Sequence, residues 1–197
     1  MFISIDGPDG AGKTTLGKAT VARLQQEGYK AVFTTEPTDT PLGEQIREAL
    51  KCGSNNLLDL FLQDRAMHIK EFIEPHLADN FIVVTDRYKY STVCYQHVQG
   101  VPLENLIALN KDFKVPDISF ILYADDVTKL LDRITIRGQN KDFFETKEIL
   151  EKCCKIYKGM PQHFPKENFQ MLNAETTESE LFEATYDRIA ENIRKKG

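Results

Sequence analysis

Between Gly7 and Thr14 the chain reads Gly-Pro-Asp-Gly-Ala-Gly-Lys-Thr, which fills the pattern G-x-x-x-x-G-K-[ST] directly after the apolar run Phe2 to Ile5. These residue types in this order bind polyphosphate. Gly7, Gly10 and Gly12 allow a turn in which successive backbone N–H groups point inward, and a helix beginning near Thr14 adds its positive end. Ala11 and Thr15 complete the loop and its helical exit. Lys13 supplies a compact cation for β- and γ-phosphates, and the Thr14 hydroxyl is placed to ligate a Mg²⁺ that bridges them.

Three further sets of residues carry chemistry. The run Phe81 to Asp86 is apolar and ends in a carboxylate, the arrangement in which a second strand supplies the magnesium-side acid, and Arg87 follows at once. On a helix expected from Leu57 to Leu77, Phe61 and Arg65 stand four residues apart and share a face. From spacing alone Phe61 also reads as core, the commoner fate of a helix Phe, and Arg65 as a surface ion pair. Between Asp126 and Lys141 four cations, Lys129, Arg133, Arg137 and Lys141, stand against two acids, Asp126 and Asp132. The break at Gly138-Gln139-Asn140 reads either as a mobile lid over transferring phosphates or as the end of a solvated helix face.

The elements that must position these groups alternate. Apolar runs at Phe2 to Ile5, Ala31 to Thr34, Phe81 to Asp86, Ile118 to Tyr123 and Phe169 to Leu172 predict strands. Helical spacing predicts helices from Thr14 to Glu27, from Pro41 to Leu50, from Leu57 to Leu77, from Tyr88 to Gln99, from Leu103 to Lys111, from Asp126 to Ile136, from Phe143 to Tyr157 and from Glu178 to Lys195. Strands alternating with helices imply a parallel sheet, and hence an α/β protein with helices on both faces. At 197 residues, without low-complexity tracts or linkers, one domain is expected. The formal charge of -5, with no basic aromatic-interleaved patch, argues against a nucleic-acid partner, so an anion site must be local. No leader or membrane-length apolar run is present, and Cys52, Cys94, Cys153 and Cys154 lack zinc spacing, so a cytoplasmic protein with free thiols is expected. The four histidines form no ligand motif.

A phosphate loop alone does not choose among GTPases, motors, ATPases and small-molecule kinases. The absence of an Asn-Lys-x-Asp string and of an appended domain weakens the first two. Nearly end to end, the chain resembles the thymidylate kinase family. The resemblance is carried by Ile5 to Thr15, Thr35-Glu36-Pro37 with Thr40-Pro41-Leu42-Gly43, Leu60-Phe61 with Asp64-Arg65, Asp86-Arg87-Tyr88 followed by Ser91 and Tyr95-Gln96, Pro116-Asp117, Arg137-Gly138 and Asn173-Ala174.

It implies a three-layer α/β/α sandwich with a central parallel sheet, spanning 1–197 as a single P-loop kinase domain with a mobile lid near 133–145. The implied reaction is transfer of the ATP γ-phosphoryl group to dTMP with Mg²⁺, in a homodimer. Carried over by position, Asp9 accepts a hydrogen bond from the sugar 3′-hydroxyl, Phe61 stacks on thymine, Arg65 bonds the base edge and Arg87 holds the acceptor phosphate. Ser91 and Gln96 line the base pocket, Tyr95 crowds the 2′ position, and Arg133 and Arg137 come from the lid, Arg137 also lying against adenine. Thr14 and Asp86 serve the metal. The chain departs from the pattern at Thr35, where most bacterial relatives have Arg, and at Asp142-Phe143-Phe144-Glu145, where a lid cation is missing. Gly10-Ala11 also carries no loop arginine. The alternatives are a deoxynucleoside kinase or another nucleoside monophosphate kinase, and, outside enzymes, a non-catalytic nucleotide-binding regulator.

Overall fold

Successive strand side chains point to opposite faces, and the strands here are apolar on both, as a sheet covered on two sides requires. The computed structural model describes residues 1–54, 57–136 and 143–196. Five strands, β1 (Phe2–Asp6), β2 (Ala31–Thr35), β3 (Ile82–Asp86), β4 (Ile118–Tyr123) and β5 (Phe169–Asn173), form one sheet in the order β2-β3-β1-β4-β5. Every pairing is parallel. The α/β sandwich expected from the alternation is therefore the observed architecture.

Ile3, Ile5, Val84, Ile118, Phe120 and Leu122 face one core with Leu16 and Leu24 of α1 (Lys13–Gln26), Leu130 of α7 (Thr128–Ile136) and Ile189 of α9 (Glu178–Lys196). Phe2, Val83 and Ile121 face the other, with Val93 of α5 (Lys89–Val98), Leu106 of α6 (Leu103–Asn110), and Tyr157 and Met160 of α8 (Lys147–His163). Beside this second core run α2 (Pro41–Lys51) and α3 (Leu58–His68), α3 continuing through a π turn (Ile69–Ile73) into α4 (Glu74–Ala78). The strand order reverses direction from β1, so the carboxyl ends of β1 and β3 open a crevice at which ligands of such sheets bind.

Local differences from expectation have local causes. The single helix expected over Leu57 to Leu77 widens into the π turn just before Pro75, whose missing N–H cannot serve the carbonyl four residues back. The helix expected from Phe143 to Tyr157 breaks at Thr146. There the Thr146 hydroxyl accepts the Ile149 N–H at 3.4 Å as a cap, leaving a 3₁₀ turn (Phe143–Glu145) before it and a helix running on to His163. Thr40 caps α2 in the same way, accepting the Gly43 N–H at 3.2 Å, with Pro41 in the first turn. Arg137, Lys141 and the Gly138-Gln139-Asn140 break lie outside the described residues. Cys94, Cys153 and Cys154 are buried free thiols and Cys52 is an exposed one. No described helix is long and apolar enough to cross a membrane.

Candidate active site

The site is built where β1 and β3 end. The phosphate loop leaves β1 with Gly10 and Gly12 at φ of 78° and 89°, in the left-handed region that costs side-chain-bearing residues most. A Cβ on Gly10 would lie 2.5 Å from the Leu130 carbonyl oxygen, so loop and α7 approach through this residue. A Cβ on Gly12 would meet nothing within 4 Å, which leaves a cradle in front of the first turn of α1. Lys13 Nζ donates to the Pro8 carbonyl at 2.8 Å across that cradle and is only 6% exposed. Burial, with Arg87 nearby, pulls its ammonium down to about 8 against the partial support of Asp9, Asp86 and Asp6.

Asp86 lies at the end of β3 in register with Ile5 and Thr35. Its Oδ2 accepts the Thr14 hydroxyl, while its Oδ1 is buried with no hydrogen-bond partner among the described residues. A hydroxyl and a half-satisfied carboxylate side by side suit a hard cation that takes most of its oxygens from phosphate and water. Among the described residues no cluster of His, Cys, Asp and Glu would hold a metal by itself.

Arg87, next in sequence, has φ of 70°, rare for a residue of its size. Its N–H donates to Ile5 O at 2.9 Å and its carbonyl accepts the Thr85 hydroxyl at 2.9 Å. Asp6 secures the following turn, its Oδ1 accepting N–H groups of Tyr88 (2.9 Å) and Ser91 (3.0 Å) and the Ser91 hydroxyl (2.6 Å). Burial raises the Asp6 carboxyl above its ordinary value, outweighing those bonds. This strained turn aims the Arg87 guanidinium at Asp9, 5.1 Å from the Tyr95 ring centre. Burial opposes the charge of Arg87, but Asp9 overrides it and holds the guanidinium well above its ordinary range. Asp9 in turn is lowered, burial being outweighed by Arg87 and Lys13, and it also accepts the Tyr95 hydroxyl at 3.0 Å.

Beyond Arg87 a cleft runs between α3, α5 and the loop after β2, concave and lined by aromatic rings with a few converging polar groups, as ligand sites are. Phe61, Arg65, Ser91, Tyr95 and Gln96 all line it with Asp9 and Arg87, so every residue expected at an acceptor site converges here. Ser91 is tied to Asp6 and within 3.1 Å of the Tyr157 hydroxyl, so its first duty is to hold α5 to β1. Spacing had pointed to no role for Glu36, Thr92, Asn110 or Phe144. Glu36, Thr92 and Asn110 bond Arg65, and Phe144 meets Tyr95 edge-on at 5.0 Å. Glu36-Pro37 directly after a strand was the available signal.

A second cavity of about 680 Å³ opens on the other side of the loop, between Gly12, Thr15 and Leu16 of the loop and α1 and Leu181 and Phe182 of α9. Arg133 borders it. Sequence placed Arg133 in a lid over the transferring group. Its guanidinium donates to backbone carbonyls of Ala174 (2.8 Å), Thr176 (3.2 Å) and the loop residue Gly10 (3.4 Å), on the side of the second cavity and not in the acceptor cleft. Lys129 likewise donates to Glu175 O at 2.7 Å. These two cations bind the segment after β5.

A parallel α/β sheet, a phosphate loop between two cavities and an arginine aimed across the loop define a P-loop nucleotide kinase. The sequence model described as Thymidylate kinase matches residues 5–185, and the chain belongs to that family. It is 39% identical over 163 residues to a thymidylate kinase of Xanthomonas campestris pv. campestris, covering 81% of this chain and 71% of the relative. A probable thymidylate kinase of Thermococcus kodakarensis is 37% identical over 186 residues, 88% of this chain and 89% of that one. A Xanthomonas oryzae thymidylate kinase is 37% identical over 163 residues, 81% and 71%.

Proposed function

We propose that the protein transfers the γ-phosphoryl group of ATP to dTMP, giving dTDP and ADP. The observation that carries this reading is the position of Asp9. One loop residue sits 3.9 Å from Lys13 on the donor side and pairs with Arg87 on the acceptor side, so donor and acceptor meet across a single side chain.

The donor's phosphates lie along the N–H groups of Gly10 to Thr15, with Lys13 on the β- and γ-phosphates and the base in the cavity beside Leu16 and Phe182. Thr14 and Asp86 hold Mg²⁺ in this reading, which when bound neutralises charge on the transferring group. The acceptor's base enters the cleft between α3 and α5 against Phe61 and Arg65, with Gln96 on the base, Ser91 on the pocket wall, Tyr95 on the sugar and Arg87 on the phosphate. A phosphate monoester is mostly dianionic at neutral pH, since its second ionisation lies near pH ~6, so no general base is needed. An acceptor oxygen forms a bond to the γ-phosphorus as the β–γ bridging P–O bond breaks. The chain's task is alignment and charge: Arg87 turns from Asp9 towards the acceptor phosphate, and Asp9, freed on one side, accepts from the sugar hydroxyl. Arg133 and Arg137, the arginines of the expected lid near 133–145, belong to the same reading, in which the whole chain acts as one domain. So do a homodimer, for which Met67 on α3 and Leu109 on α6 are exposed apolar candidates, and a cytoplasmic setting.

The test is acceptor-dependent ADP release from Mg-ATP. Turnover with dTMP and none above background with thymidine is expected; turnover with thymidine but not dTMP, or ADP release independent of acceptor, would overturn the reading.

A further inference from the structure

A guanidinium has five N–H donors, and in Arg65 four of them are taken. Nε and Nη2 both donate to Glu36 Oε2, at 2.9 and 2.6 Å, Nη2 also to the Thr92 hydroxyl at 2.9 Å, and Nη1 to Asn110 Oδ1 at 2.9 Å. The rings of Tyr88 and Phe113 lie 5.3 and 5.5 Å from its central carbon. The acceptors are themselves fixed. The other Glu36 oxygen meets His68 Nδ1 at 3.0 Å, His68 Nε2 meets the Thr34 hydroxyl at 2.8 Å, and the Asn110 amide donates to Leu106 O at 2.8 Å. Arg65 is 1% exposed and Glu36 4%. The side chain therefore cannot turn, and it has one N–H on Nη1 left for a ligand.

We infer that Glu36, with Thr92 and Asn110, is a positioning residue for base choice: by holding Arg65 it leaves a single, donor-only contact that accepts a 4-oxo pyrimidine and rejects a 4-amino one. This rests on the acceptor assignment above. A carbonyl at position 4 of the ring pairs with the remaining N–H. An amino group there sets donor against donor and leaves both unpaired, a mismatch that buried sites penalise heavily. Gln96, the other polar side chain proposed on the base edge, does not discriminate by itself. Its amide rotates to offer either oxygen or N–H, whereas Arg65 has no acceptor to offer.

The experiment compares kcat and KM for dTMP, dUMP and dCMP in the natural protein, in Glu36→Gln and in Thr92→Val, which removes one acceptor of Arg65 at nearly constant volume. In Glu36→Gln the dTMP:dCMP ratio of kcat/KM falls at least ~10-fold, chiefly through KM, with kcat for dTMP within about threefold and dTMP:dUMP within about twofold. Thr92→Val moves the ratio the same way by less, and decides the matter should Glu36→Gln fail to fold. A dTMP:dCMP ratio that stays fixed in the folded variants overturns the inference, as does an equal fall in dTMP:dUMP, which would mark a loosened pocket. If the natural protein ignores dTMP, the acceptor assignment fails; if it selects dTMP and the ratio does not move, only this inference fails.

Discussion

The two ends of the active site satisfy their polar groups in opposite ways. On the side proposed for the acceptor base, Arg65, Glu36, His68, Thr92 and Asn110 form a closed network, buried and bonded on nearly every polar atom. At the phosphate loop, Lys13 has one backbone carbonyl, Asp86 Oδ1 has no partner among the described residues, and Gly10, Gly12 and Arg87 hold positive φ. The network around Arg65 is held by its own bonds, whereas the phosphate loop carries charged groups that a polyphosphate would satisfy. Recognition of a base edge needs fixed geometry, and stabilisation of transferring charge needs groups whose best partner is the ligand.

The largest test of this contrast is Lys13→Met. Turnover should fall by at least ~10³-fold, since the variant loses the cation on the transferring group. The fold should nevertheless gain about 1–3 kcal/mol at pH 7, because a buried ammonium is lowered from its ordinary 10.5 to about 8 and the thioether is not charged. The sign follows from proton counting. Below about 8 both folded and unfolded chains hold the proton and the fold bears the full cost; between 8 and 10.5 the unfolded chain binds more, so the natural protein gains stability as pH rises. Urea unfolding at pH 7 and pH 9.5 should therefore show the advantage of Lys13→Met shrinking at the higher pH. A variant less stable than the natural protein at pH 7 would mean Asp9, Asp86 and Asp6 balance Lys13 fully.

Glu36→Ala should act in reverse. It leaves Arg65 and His68 facing a void, and breaking a buried pair in this way costs about 3–5 kcal/mol. Equilibrium unfolding measures it directly. A loss below about 1 kcal/mol would show that water replaces the carboxylate, and the base end would then be no more rigid than the loop.

What sequence revealed follows the same division. The phosphate loop is a contiguous string whose glycines and lysine act through local backbone geometry, and Asp86-Arg87 ends an unmistakable apolar strand, so both were legible. Phe61 and Arg65 were legible as one helix face. The partners of Arg65 were not: Glu36 lies 29 residues before it, Thr92 27 after and Asn110 45 after, and no periodicity links them. Such a network exists only once α3, α5, α6 and the end of β2 pack together. Arg133 shows the converse. Its spacing among other cations suited a lid, and the backbone carbonyls that engage it, Ala174 and Thr176 after β5 and Gly10 in the phosphate loop, could not be read from sequence, since carbonyl positions are invisible there. Thr146 and Pro75 were readable as local signals, and the apolar spacing running through them concealed a cap and a π turn.

The smallest effect probes the phosphate end without altering it. With its ammonium at about 8 before nucleotide binds, Lys13 is largely neutral at pH 8.5, and four negative charges beside it restore the proton. ATP binding should then take up a fraction of a proton that is larger at pH 8.5 than at pH 7, read by calorimetry in two buffers of different ionisation enthalpy. Lys13→Met should abolish the uptake. Glu36→Gln should leave it unchanged, because the base network shares no proton with the loop. Uptake that persisted in Lys13→Met would place the titrating group elsewhere, and uptake lost in Glu36→Gln would join the two ends into one electrostatic unit.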